Sequence, residues 1–207
     1  TISRIQGAGH VSPHEGEWVF GVPGVVTAVD RDPRNTGFWL ESASPDGDPA
    51  TSEGVFVLHA GAASLSPGQG VTVSGRVEEV SFPKSLSVTR LRASSVGPND
   101  AAPSLPPPVR LFTGEPWPPV PDGDGLTRFD PARGAIDRWE SLEGMRVEVP
   151  GGTVVGPSTG RGDLTLRPDG APSVPLTLAG GVLLPREGPS LDRVFLGTRL
   201  SGPMPAV

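Results

Sequence analysis

The feature that most constrains this chain is a run of short, valine-rich segments separated by clusters of Gly, Pro, Asp and Ser. "WVFGVPGVVTAVD" (residues 18–30), "GFWLES" (37–42), "GVFVLH" (54–59), "GVTVSGRVEEV" (70–80) and "SLSVTRL" (85–91) follow one another within about 80 residues. β-Branched and aromatic residues at period two, bounded by turn formers, read as strands. The spacing suits a small closed β-barrel of the OB kind, with a sandwich as the other architecture open to five short strands. With Phe38 and Leu40 facing a core, Trp39 and Glu41 point outward. Val71, Val73 and Val77 share a face with Gly75, leaving Thr72, Ser74 and Arg76 on the other. Pro23-Gly24 marks a bend at a bulge or barrel corner. The chain has 29 Gly and 26 Pro among 207 residues, about 27%. Beside such clean alternation these serve as turn punctuation in an all-β protein rather than as low complexity.

Residues 97–121 carry nine prolines and no usable period, which reads as a stiff polyproline spacer. The expected organisation is therefore an OB-like barrel over residues 1–97, a Pro-rich linker over 98–121 anchored by Trp117, and a second OB-like module over 122–207. The second block opens with a short helix: Asp130 caps it, Pro131 takes its first position, Ile136, Trp139 and Leu142 recur at helical spacing, and Gly144 stops it. "MRVEV", "GTVVG", "DLTLRP", "VPLTLAGGVLLP" and "DRVFLGTRL" then read as strands. The ending "RLSGPMPAV" trails away mid-pattern, so this module is expected to be truncated, and the start at Thr1 points to a segment trimmed from a longer precursor.

Charge and composition exclude several classes. The formal charge is −6, with 16 arginines and the single Lys84, so binding to phosphate requires a local basic face rather than a global field. Cysteine is absent, which removes disulfides, thiolate catalysis and Cys-type zinc sites. No apolar run reaches the length of a membrane span.

"IQGAGHVSPHEGEWVFGVPGVVTAV", "GFWLESASPDGDPATSEGVFVLH", "GQGVTVSGRVEEV" and "FDPARGAIDRWESLEGMRVEVPGGTVVGP" together resemble the N-terminal part of large secreted bacterial nucleases. These are the ExeM/NucH-like extracellular nucleases, in which OB-like modules precede a catalytic endonuclease/exonuclease/phosphatase domain. The resemblance implies an extracellular or cell-surface location and a downstream domain of the same chain that works with a divalent metal. The "GDxN"-like turn and "SDHxP"-like end of that domain are missing here, because "GDP" (47–49) and "GDL" (162–164) lack the Asn and no histidine follows His59. The segment itself is expected to be non-catalytic.

His10 and His14 stand four apart beside Glu15 and Glu17, but Pro13 between them rules out the helix that zinc ligation at this spacing requires. His59 reads as a rim residue. Two acidic loops have the oxygen-rich composition that calcium favours: Asp46, Asp48 and Glu53 in one, Asp122, Asp124 and Asp130 in the other. Counted from Asp122, Arg133 occupies the position where an EF-hand needs its bidentate Glu, and the acids of the first loop lack His or Asn company, so both loops are turns first and calcium sites second. For nucleic acid, the expected face combines outward Trp39 with Arg76, Phe82, Lys84, Arg90 and Arg92, pairing rings for base stacking with cations for phosphate. The partner is then a single DNA or RNA strand. The rival expectation is a structural spacer or cell-surface docking module with no nucleic-acid ligand.

Overall fold

A computed structural model of the chain describes residues 1–83, 85–100, 104–114, 117–158, 163–171, 175–183 and 193–197. Five strands, β1 (Trp18–Asp30), β2 (Gly37–Glu41), β3 (Gly54–Leu58), β4 (Gly70–Val80) and β5 (Val88–Pro98), close into a barrel in the order β1-β2-β3-β5-β4. All pairings are antiparallel except β3 with β5. This connectivity is that of an OB fold, and the chain as a whole is all-β in character. The period-two reading holds: Phe38, Leu40, Val55, Val57, Val73, Val77 and Leu91 are fully buried inside the barrel.

The bend expected at Pro23-Gly24 is the corner where β1 leaves one neighbour for the other. Residues 18–25 of β1 pair with β4 and residues 25–30 with β2. A Cβ on Gly24 would lie 2.7 Å from Leu40 Cγ, so only glycine lets the strand pass that close. A five-residue helix, α1 (Ile2–Gln6), was not expected from the sequence. It drives Ile2 and Ile5 into the barrel core, where both are almost wholly buried.

The second block holds β6 (Val109–Arg110) paired in parallel with β7 (Val147–Glu148). It also holds helix α2 (Ala135–Glu140) and an antiparallel sheet of β8 (Gly152–Val154), β9 (Leu164–Pro168) and β10 (Val194–Leu196). Its core is Leu111, Trp117, Ala135 and Leu142, with Phe112 and Trp139 against it. Part of the stretch expected as spacer is thus structural, since Val109 to Leu111 and Trp117 belong to this second core. The helix starts later than expected, with Gly134 at its N-cap. Asp130 instead closes the preceding turn, accepting the Ala132 N–H on its side chain and those of Arg133 and Gly134 on its carbonyl. Gly144, at φ 71°, ends the turn after the helix as the sequence predicts. The trailing residues 198–207 lie outside the described residues.

The two blocks touch through a polar seam. Gln6 Nε2 donates to the Gly54 carbonyl at 2.6 Å and to Glu143 Oε1 at 3.3 Å. Glu143 Oε1 also accepts the Thr89 N–H, and Ser52 Oγ donates to the Glu143 carbonyl. Glu41, expected to point outward, does so but is covered by the second block: its Oε2 accepts the Arg146 N–H at 2.9 Å and the residue is 3% exposed. His10 Nε2 meets Asp137 Oδ1 at 2.7 Å.

The seam concentrates buried carboxyls. Burial first, then the charges of Glu143, Glu79 and Asp137, pushes Glu140 up to about 8. Burial likewise pushes Glu143 up to about 7, outweighing its hydrogen bonds from Gln6 and Thr89. In the unfolded chain both carboxyls lose their protons near 4.5. Between pH 4.5 and about 8 the folded state therefore holds protons that the unfolded state has released, and stability falls as pH rises through that window. The thermal midpoint is expected to drop between pH 6 and pH 8.5, and an E140Q/E143Q variant to lose much of that drop. Calorimetry across the range checks it, and equal slopes in the two proteins would contradict it.

Candidate nucleic-acid interface

The outer surface of the barrel places rings and guanidinium groups in register. Trp18 on β1 pairs with Arg76 on β4, Arg76 with Arg92 on β5, and Arg92 with Leu58 on β3. This row crosses four strands, about 14 Å. The next outward row carries Glu78, Arg90, Phe56 and Trp39.

Trp18 and Phe20, which the sequence reading did not single out, are 55% and 76% exposed, and their rings stack at 6.4 Å with planes 17° apart. Their exposure follows from a bulge. Val22 faces the core, so strict alternation would bury Phe20 and Trp18 as well. Instead the β1–β4 register shifts between Val19 and Val22, with Gly21 at φ 63°. An extra residue at this point turns the preceding side chains over. Val19 then packs on the core and its two aromatic neighbours face outward.

The expected candidates are only partly brought together. Trp39, Arg76, Arg90 and Arg92 share the outer surface. Trp39 is half-buried and its ring meets Phe56 edge-on at 4.8 Å. Phe82 is exposed but lies six residues beyond Arg76, past the end of β4, roughly 20 Å along the strand direction. Lys84 lies outside the described residues.

Electrostatics divide the arginines. Arg90 and Arg92 both hold Glu78, through its Oε2 at 2.8 Å and its Oε1 at 2.6 Å. Burial tends to raise the Glu78 carboxyl, but the two guanidinium groups outweigh it and keep it below its ordinary value. Arg76 donates from Nε to the Gly16 carbonyl at 3.0 Å, and among the described residues no carboxylate pairs with it. Beside Arg92 a shallow cleft of about 530 Å³ is lined by Pro33, Arg34, Thr36, Leu58 and His59. It sits against the β1–β2 loop, where Asp32 holds Arg34 at 3.0 Å.

Neither acidic loop assembles ligands. Asp46 Oδ1 accepts the Asp48 N–H, Asp48 Oδ1 accepts the Ala50 N–H, and Glu53 Oε1 accepts the Asp46 N–H. Asp122 and Asp124 take the backbone N–H groups of Asp124, Leu126, Thr127 and Arg128 in the same manner. His10 and His14 are bound to different acids, Asp137 and Glu17. Among the described residues no three His, Asp or Glu side chains converge as a metal site, and no helix is long and apolar enough to cross a membrane.

A family model, described as "Domain of unknown function (DUF8508)", matches residues 101–207. The chain belongs to the DUF8508 family. Among solved structures it is similar to the second single-stranded DNA-binding protein (SSBb) of Mycobacterium smegmatis, at 26% identity and a TM-score of 0.29, over 39% of this chain and 84% of that one. It is also similar to a small single-stranded DNA-binding protein of Streptomyces coelicolor, at 23% identity and a TM-score of 0.30, over 42% of this chain and 94% of that one. No curated protein matches the chain.

The geometry fixes which indole meets solvent. Trp117 is 8% exposed, and Trp39 and Trp139 are half-buried. Iodide quenching is expected to act mainly on Trp18, so that a W18F variant loses most of the quenchable emission. A W18F protein as quenchable as the parent would show that β1 begins differently.

Proposed function

We propose that this DUF8508 protein binds single-stranded nucleic acid across the outer face of its barrel. It would be the non-catalytic accessory region of a secreted nuclease, presenting strands to a downstream metal-dependent domain. The observation that carries the binding reading is the exposed row of Trp18, Phe20, Arg76 and Arg92, extended by Trp39. Stacking on exposed rings is indifferent to base identity, and neighbouring guanidinium groups offer charge to the phosphates that link the stacked bases. OB barrels take oligonucleotides on the face of their second and third strands and on the adjoining loops. In this chain Trp39 and the cleft beside the β1–β2 loop occupy that region. The accessory role rests on the resemblance of the sequence to the front of extracellular nucleases.

The overall charge of −6 and the Glu78 clamp shape what such a site does. Arg90 and Arg92 share the single negative charge of Glu78, so a strand gains their full charge only by displacing Glu78. Affinity is then modest and steeply dependent on salt.

Fluorescence polarisation with a labelled oligothymidine strand at about 50 mM salt tests the reading under conditions that favour phosphate contacts. Trp18→Ala is expected to weaken binding by about 5- to 150-fold, the range for one stacked base. Arg76→Ala should make the log–log salt slope shallower by about 0.7. Glu78→Gln should tighten binding by freeing two guanidinium groups. No polarisation change with the parent protein at that salt would leave a spacer or docking module as the reading.

A further inference from the structure

The second block contains a cavity of about 610 Å³, between the β2–β3 loop at Pro49-Ala50 and the aromatic core. Its volume falls within the range of small-molecule sites. Phe112, Trp117 and Phe129 supply flat apolar walls, and Arg110 and Arg138 also line it. Among the described residues, two polar side chains here have no side-chain partner. The Trp117 indole Nε1–H is buried with no acceptor, although a buried indole normally finds one. Arg138 is half-buried, and among the described residues no ion pair or side-chain hydrogen bond takes its guanidinium. Its guanidinium keeps access to solvent, and its planar fork matches a carboxylate or phosphate.

The remaining charges do not fill that need. Asp130 also lines the cavity, but its Oδ1 accepts the Ala132 N–H and its Oδ2 faces Arg133 at 3.7 Å. Arg110 is 3.3 Å from Glu148 and largely in solvent. The backbone at Phe112 is in the left-handed region, at φ 57°, a conformation that is costly for a bulky residue. It is held by close packing, because a Cβ on Gly170 would lie 2.3 Å from the Phe112 carbonyl oxygen. The surrounding chain thus pins an aromatic wall of the cavity in place.

We infer that this cavity is a binding site for a small molecule that joins a flat ring to an anionic oxygen group. The ring lies among Phe112, Trp117 and Phe129, the anion pairs with Arg138, and a ring or anion oxygen accepts the Trp117 indole N–H. Nucleoside monophosphates and aromatic carboxylates both have this chemistry. The site is separate from the barrel face and does not depend on nucleic-acid binding there.

Nitrogen–proton correlation spectra of the full chain test it, because the four tryptophans give separate indole signals and Trp117→Phe identifies the relevant one. Thymidine 5′-monophosphate and phenylacetate are titrated separately to about 10 mM. The Trp117 indole signal is expected to move with at least one of them, and the one that moves it identifies the source of the anion. Arg138→Met should weaken that response at least tenfold, and Arg138→Lys, which keeps the charge but not the fork, should fall between. The dispersion of the other indole signals reports that each variant is folded. A Trp117 signal unmoved by both probes, or an Arg138→Met titration matching that of the parent, overturns the proposal.

Discussion

The contact on which the arrangement depends is the close approach of two backbones, at Gly54 on β3 and Gly144 after α2. A Cβ on Gly54 would lie 2.3 Å from the Gly144 carbonyl carbon, and one on Gly144 would lie 2.9 Å from the Val55 nitrogen. No side chain fits in that space, so the loop after α2 lies directly on the end of the barrel strand. Because it does, Glu41, Ser52 and Thr89 find their partners in the second block instead of in water. The same seating leaves the opposite end of the barrel's outer face, with Trp18, Arg76 and Arg92, open.

Burial and charge pull in different directions in the two regions. At the seam, carboxyls lacking basic partners are desolvated, and protonation relieves them. On the outer face, Glu78 is held ionised by Arg90 and Arg92. One chain thus contains acids whose protonation supports its architecture and an acid whose ionisation restrains its cations. Glu78 and Arg90 are half-buried and Arg92 is more open, so Glu78 bears on the fold as well as on what the surface can bind.

The barrel was legible in the sequence because its strands are half-buried and alternate cleanly, as the fully buried Phe38 and Leu40 on either side of Trp39 illustrate. Trp18 and Phe20 were hidden by the bulge at Gly21, since a phase reversal in mid-strand leaves no trace in a period-two pattern. Glu41 was assigned to the correct face, but its burial was not legible, because alternation reports a direction and not what another part of the chain lays over it. The acidic loops read correctly as turns, since Asp side chains bonding N–H groups two residues on are local chemistry. The meeting of the buried Trp117 indole with Arg138 at one cavity depends on segments distant in sequence and appears only when the chain is folded.

The parallel pairing of β3 with β5 also governs how the molecule is made. Phe56 and Arg90, neighbours in that ladder, are 34 residues apart in sequence, and the barrel stays open until the last of its strands arrives. During synthesis, four apolar strands wait with an unpaired edge until β5 emerges, the topology that slows folding and invites intermolecular pairing. The helix bearing Ile2 and Ile5 packs into the same core that this closure completes.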